Sequence, residues 1–196
     1  MSAPGGAGGV IFKWRGLLWG IFGLCVLVLP VDFSARRMIF AVPLLVGGQL
    51  LRFWAAGVIP KYRTLEVGAL RLVTWGPYAL IRNPLYAGNA IMGSGWSLMA
   101  GWWWVAAFAA VFFFLYSLVI IPYEETFLMG KFRDEYIAYR NTTPALIPNF
   151  SAIAGKRGKT AGFERFDRVS SWLMERHSLF MNIIVTVLVC VRLFIQ

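Results

Sequence analysis

Histidine occurs once in this 196-residue chain, as His177, and cysteine only twice, as Cys25 and Cys190. A metal site built on several His ligands is therefore excluded. Both Cys lie inside apolar runs, where they read as small packing residues rather than redox or metal groups, and two Cys make no disulfide scaffold. Charge is scarce as well. Charged residues make up 14% of the chain and hydrophobic ones 59%, against roughly 25% and about 45–50% in a water-soluble domain. The apolar content excludes disorder. There is no collagen-like glycine period, no internal repeat, and no zinc, phosphate-loop or nucleotide-fold glycine motif. Gly93-Ser-Gly95 is a lone GxG, which inside a membrane helix reads as a close-packing site. Acidic residues are the scarcest charge, nine against nineteen basic, for a net charge of +10. Nucleic-acid binding is one reading of that excess. So few soluble surfaces can be built from this composition that basic loops on the cytoplasmic face of a membrane protein explain it better.

What the chain does have is long uncharged runs. Residues 16–31 and 38–51 carry no charge, and Arg52 interrupts before residues 53–60 continue the second run. Residues 83–123 are uncharged throughout, and residues 178–191 form the last run. A membrane-spanning helix needs about 20 apolar residues, so the third run is too long for one helix and right for two. The break is expected between Ala100 and Gly101, leaving a tight helical hairpin with Trp102, Trp103 and Trp104 as interfacial anchors. The expectation is an all-α, polytopic transmembrane bundle of about five spans: 14–31, 38–59, 84–100, 102–121 and 177–195. A secretory signal peptide, with Lys13 and Arg15 as its basic leader, is the alternative for the first span. The length of the run and the spans that follow weigh against it. Most Lys and Arg fall on one side of a five-span topology, leaving Arg36, Arg37 and Arg192 on the other. That predicts an integral, multi-pass membrane protein with its N-terminus inside, its C-terminus outside and its polar chemistry on the cytoplasmic face.

Three regions follow: N-terminal helices over 1–69, a core over 70–148, and a basic segment with the last helix over 149–196. Within the last region Gly155-Lys-Arg-Gly-Lys159 reads as a flexible basic loop. After it Phe163, Phe166, Val169, Trp172 and Leu173 interleave with Glu164, Arg165, Arg168, Glu175 and Arg176. That spacing suits either a helix lying in the headgroup plane or one packed on the protein itself.

Two segments depart from ordinary membrane helix. In Gly76-Pro-Tyr-Ala-Leu-Ile-Arg-Asn-Pro-Leu-Tyr-Ala-Gly88, two prolines and a glycine forbid one continuous helix. Pro122-Tyr-Glu-Glu125 closes the hairpin. Helices of a hairpin are antiparallel, so its entry and exit lie side by side, and Arg82 and Asn83 are expected near Glu124 and Glu125. Arg can snorkel and carboxylates can sit in water. Two adjacent carboxylates at the end of an apolar run repel, however, and call for a partner. With Tyr78, Tyr86 and Tyr123, the cluster forms a cleft suited to a polar, zwitterionic ligand.

Gly76-x-Tyr78-x3-Arg82-Asn-Pro84-x-Tyr86-x-Gly88 resembles the G-x-Y-x3-R-H-P-x-Y-x-G signature of the isoprenylcysteine carboxyl methyltransferase and phospholipid methyltransferase superfamily. Glu124-Glu125-x2-Leu128-x3-Phe132-x3-Tyr136-x2-Tyr139, followed by Pro144-x3-Pro148, resembles its second half. The likeness covers about residues 70–148. Asn83 stands where the isoprenylcysteine enzymes have His, and the Asn-Pro-x-Tyr form is closer to the phosphatidylethanolamine N-methyltransferases. Arg133 stands where the Gly of a Phe-Gly pair is expected.

The resemblance implies S-adenosylmethionine as methyl donor, bound on the cytoplasmic side, with a lipid or apolar small-molecule acceptor arriving from the bilayer. It implies Tyr78, Arg82, Asn83, Tyr86, Gly88, Glu124, Glu125, Tyr136 and Tyr139 at the cofactor, with Arg82 and Glu125 in the catalytic role. Arg82 would pair the donor's carboxylate, and Glu124 or Glu125 would accept from its ammonium or ribose hydroxyls. Tyr rings would face its sulfonium. A carboxylate or thiolate acceptor needs no base. A lipid ammonium does, and the nearest groups are Glu125 and Tyr86. A phospholipid amine and a prenyl-cysteine-like carboxylate or thiol therefore both stay open. The alternatives are a sterol-type membrane reductase using NADPH and a non-catalytic transporter or scaffold subunit.

Overall fold

The computed structural model describes residues 7–32, 34–59, 71–148 and 166–195. Among them the chain forms five helices. These are α1 (Ala7–Val28), α2 (Ala35–Val58), α3 (Pro84–Ala100), α4 (Trp102–Thr142) and α5 (Arg168–Ile195), with a 3-10 turn over Gly76–Ala79 before α3. All but α3 are long and apolar enough to cross a membrane. With 17 residues, α3 is about 25 Å long, near the short limit for a span.

Local chemistry sets the boundaries. Pro84 takes the first position of α3, where its missing N–H costs nothing. At the other end of α3 the break falls between Ala100 and Gly101, as expected. Gly101 adopts φ 139°, a conformation side chains resist, so the chain reverses within one residue into α4. The Asp32 N–H donates to the Ala100 carbonyl and ties this turn to the α1–α2 loop. Trp102 and Trp103 are exposed beside it.

α2 and α3 form the tightest pair, and glycine permits it. A Cβ on Gly48 would lie 2.7 Å from the Gly88 carbonyl oxygen, and one on Gly95 3.1 Å from that of Ala41. Small residues let backbones approach this closely in membrane bundles. A Cβ on Gly93 would strike the Phe108 ring. Gly93 and Gly95 are thus the packing glycines the sequence suggested.

Two features differ from the sequence reading. First, α4 does not stop near residue 121. It continues to Thr142, changing over Phe113–Ile120 to π-helix and bending at Arg133. The part up to residue 121 alone makes about 30 Å of helix, the thickness of a hydrocarbon core, so the charged part beyond Pro122 projects out of the apolar zone, and the bend at Arg133 turns it back toward the hairpin entry. Second, residues 168–176 are the first turns of α5, not a separate in-plane helix, and Glu175 is fully buried. Phe163, Glu164, Arg165 and the basic loop 155–159 lie outside the described residues.

The ends of the bundle are distinguishable. Gly9 near the start of α1 lies against the Tyr123 hydroxyl, at the end where α3 begins. Arg192 near the end of α5 donates to the Leu29 carbonyl at 2.6 Å, at the opposite end.

Candidate functional site

The mouth of the α3–α4 hairpin is assembled by three backbone events. Pro77 and Pro84 prevent one helix from running through residues 76–88, so residues 80–83 stay irregular and present their backbone. α4 overshoots the apolar zone, bends at Arg133 and ends at Thr142. The chain then folds back, so that the Arg82 N–H donates to the Pro144 carbonyl at 2.8 Å and the Asn83 N–H to the Ala145 carbonyl at 3.1 Å.

Arg82 sits in the resulting corner. Its Nε and Nη2 donate to Glu125 Oε1 at 3.0 and 2.7 Å. Its Nη1 donates to the carbonyls of Arg140 at 2.9 Å and Thr143 at 2.6 Å. One guanidinium thus joins the hairpin entry, its exit and the returning loop. Glu125 is buried and meets a second cation, Arg140 Nε, at 3.4 Å from Oε2. The two adjacent carboxylates face different surroundings. Glu124 Oε1 accepts from the Tyr86 hydroxyl at 2.6 Å, on the side where Tyr86 meets Tyr116, Phe112 and Phe12.

The tyrosines divide accordingly. Tyr136 is buried. Tyr139 donates to the Tyr78 carbonyl at 2.7 Å and so braces the 3-10 turn. Burial first, and the charge of Glu125 next, push the Tyr136 phenol well above its usual range. Burial does the same to Tyr139. Both stay protonated at neutral pH and serve as donors, not bases. Asn83 uses its amide to donate to the Ala145 carbonyl at 3.2 Å, clamping the loop. Gly88 packs closely against α2. A Cβ there would fall 2.5 Å from Arg52 Cγ and 2.9 Å from the Gly48 carbonyl oxygen, against α2.

Beside the corner lies an open groove of about 530 Å³, lined by Arg82, Arg140, Thr142, Thr143, Pro144 and Pro148 among others. Arg140 was not among the residues singled out from the sequence. Its signal is its place directly after Tyr139 in the motif, one turn from the end of α4. The kink that aims it comes from Arg133, at φ 45° and ψ −119°, the only non-glycine residue with positive φ among those described. The backbone therefore keeps a glycine-type conformation where the expected glycine is replaced.

A second polar group lies deeper, and sequence reasoning missed it. Arg52 of α2 donates from Nε and Nη2 to the two Glu175 carboxylate oxygens of α5 at 2.8 and 2.9 Å, and from Nη1 to Asn89 Oδ1 at 2.5 Å. In the sequence Arg52 reads as an interruption of a span and Glu175 as part of a polar helix face. The 123 positions between them conceal the pairing.

Residues 36–135 match the phospholipid methyltransferase family. A curated relative, the cobalt-zinc-cadmium resistance protein CzcN of Cupriavidus metallidurans, is 36% identical over 97 residues, which is 50% of this chain and 44% of that protein. The matched part is thus less than half of that relative's length. No solved structure matches the chain.

Proposed function

The chain belongs to the phospholipid methyltransferase family, and from that premise we propose that it is an integral-membrane methyltransferase using S-adenosylmethionine, with a lipid or another apolar small molecule as acceptor. The observation that carries this reading is the corner at the hairpin mouth. There a buried Arg–Glu pair, a second, half-exposed arginine and an open groove come together where the bundle leaves the apolar zone.

The residues fit such a donor. The groove is of ordinary ligand size, about 300–1,000 Å³. The Arg82 donors go largely to Glu125 and two carbonyls, so Arg82 shapes the corner. Arg140, with its side chain 49% exposed and held by long contacts to Glu125 and the Met129 sulfur, is the cation that meets the donor's carboxylate. Glu125 Oε2 and the Glu124 carboxylate offer acceptors to an ammonium or to ribose hydroxyls. When bound, the donor supplies an activated methyl group for in-line displacement. The chain's part is alignment, with donor and acceptor held at about 3–3.5 Å, and exclusion of water by the helices behind Tyr86. The charge asymmetry puts this mouth on the cytoplasmic side.

The relative's printed name concerns resistance to cobalt, zinc and cadmium. Among the described residues no three His, Cys, Asp or Glu side chains gather in a way that could hold a metal ion, so the mouth and not that name carries the reading. Calorimetry on the purified protein in detergent tests it, with S-adenosylmethionine, its homocysteine product and NADPH offered in turn, together with transfer of labelled methyl groups into a total lipid extract. Donor binding and labelled lipid are expected. NADPH binding would point to a reductase, and binding of neither would remove the enzyme reading.

A further inference from the structure

The Arg52–Glu175 pair lies one to two turns inside the bundle, and so do the groups it touches. Arg52 is six residues from the last residue of α2, Glu175 seven from the first of α5 and Asn89 five from the first of α3. Buried charge at that depth is costly unless every group is partnered. Here the partners run in one direction. Arg52 Nη1 donates to Asn89 Oδ1 and, at 3.4 Å, to the Leu85 carbonyl in the first turn of α3. The Tyr116 hydroxyl accepts from Trp19 Nε1 at 2.9 Å. The Tyr116 ring meets the Tyr86 ring edge-on at 4.7 Å, and the Tyr86 hydroxyl holds Glu124. Tyr116 reaches this place from the π-helical stretch of α4, a distortion that costs helix hydrogen-bond geometry and is common where a side chain must be aimed.

We infer that Arg52 is a positioning residue for the Tyr86–Glu124 pair, acting through Asn89 and the first turn of α3, and that Glu175 makes α5 part of the site by holding Arg52 in place. The first turn of α3 carries Tyr86, so a guanidinium bonded to the Leu85 carbonyl and to Asn89 fixes that turn from behind. Glu175 lies outside the residues matched to the family, and its role is read from this geometry. The kinetic consequence rests on the methyltransferase reading; the positioning itself does not.

The test uses the full chain in detergent with 3-fluorotyrosine built in at position 86, read by fluorine NMR beside kinetics. Arg52→Met with Glu175→Leu replaces the pair by apolar groups of similar size, a change that is often neutral or stabilising. Asn89→Leu cuts the chain while leaving the pair intact. The expected result for both is a fluorine resonance displaced toward that of Glu124→Gln. Donor affinity is expected to weaken, because the displaced Glu124 carboxylate is one of the donor's acceptors, and kcat to fall at least tenfold. A wild-type resonance and wild-type kcat in either folded variant would overturn the inference. A wild-type protein that transfers no methyl group, with the resonance moving as described, refutes the proposed activity and upholds the positioning.

Discussion

The Arg82–Glu125 pair at the hairpin mouth and the Arg52–Glu175 pair inside the bundle use the same two side chains in opposite settings. The inner pair is closed. Glu175 has no exposed surface, and both of its oxygens receive guanidinium donors from Arg52. The mouth pair is open on one side. Glu125 faces two arginines, one of them half-exposed, and a groove adjoins them. An enclosed pair orders structure and has nothing to offer a ligand. A pair with a second cation at its rim has a charge to give. The family match reaches the mouth pair but ends before Glu175, which fits a site built on the mouth and braced by the last helix.

The comparison breaks most sharply at Glu175. Glu175→Ala leaves the Arg52 charge buried and is expected to cost about 3–5 kcal/mol, read as a large fall in thermal midpoint in detergent or as failure to accumulate. Glu125→Gln keeps an acceptor for Arg82, and Arg82 keeps its two carbonyl contacts. A smaller loss of about 1–3 kcal/mol is expected there. Equal losses would show that the two pairs do not differ as described.

Function reverses the order of the two regions. Arg140→Ala removes a half-exposed cation and should leave the thermal midpoint almost unchanged. It is expected to weaken donor binding by roughly five- to tenfold, about 1 kcal/mol once solvent screening is allowed for. Calorimetry beside a melting curve separates the two effects. Wild-type affinity would return the carboxylate contact to Arg82.

The mouth was legible in the sequence for a physical reason. Forty-one uncharged residues must fold into two antiparallel spans, and that alone brings Arg82 beside Glu125. The break at Gly101 and the packing role of Gly93 and Gly95 followed from the same arithmetic. The inner pair was not legible, because pairing between α2 and α5 leaves no local trace, and a charge within a span looks like an interruption. Arg140 escaped notice because its aim depends on a bend that residue periodicity does not encode.

That bend supplies the smallest effect. Arg133 holds φ 45° and ψ −119°, a region that side chains enter at a cost of about 1–3 kcal/mol and glycine enters freely. Arg133 is exposed, so its side chain offers little packing in return. Glycine also loses more freedom on folding, which offsets part of the relief. Arg133→Gly is therefore expected to stabilise the protein by about 1 kcal/mol, seen as a modest rise in thermal midpoint. Arg133→Ala keeps the Cβ and should give no rise. The bend lies past Pro122, beyond the mouth pair and away from Arg52, so its gain should add to the loss from Glu175→Ala without interaction, as distant sites do within about 0.3–0.5 kcal/mol. A fall in stability for Arg133→Gly would mean that the arginine side chain, not the backbone, sets the angle at which Tyr136, Tyr139 and Arg140 return to Glu125. In that case the mouth would depend on a third cation, and the contrast between an open and a closed pair would need to be redrawn around it.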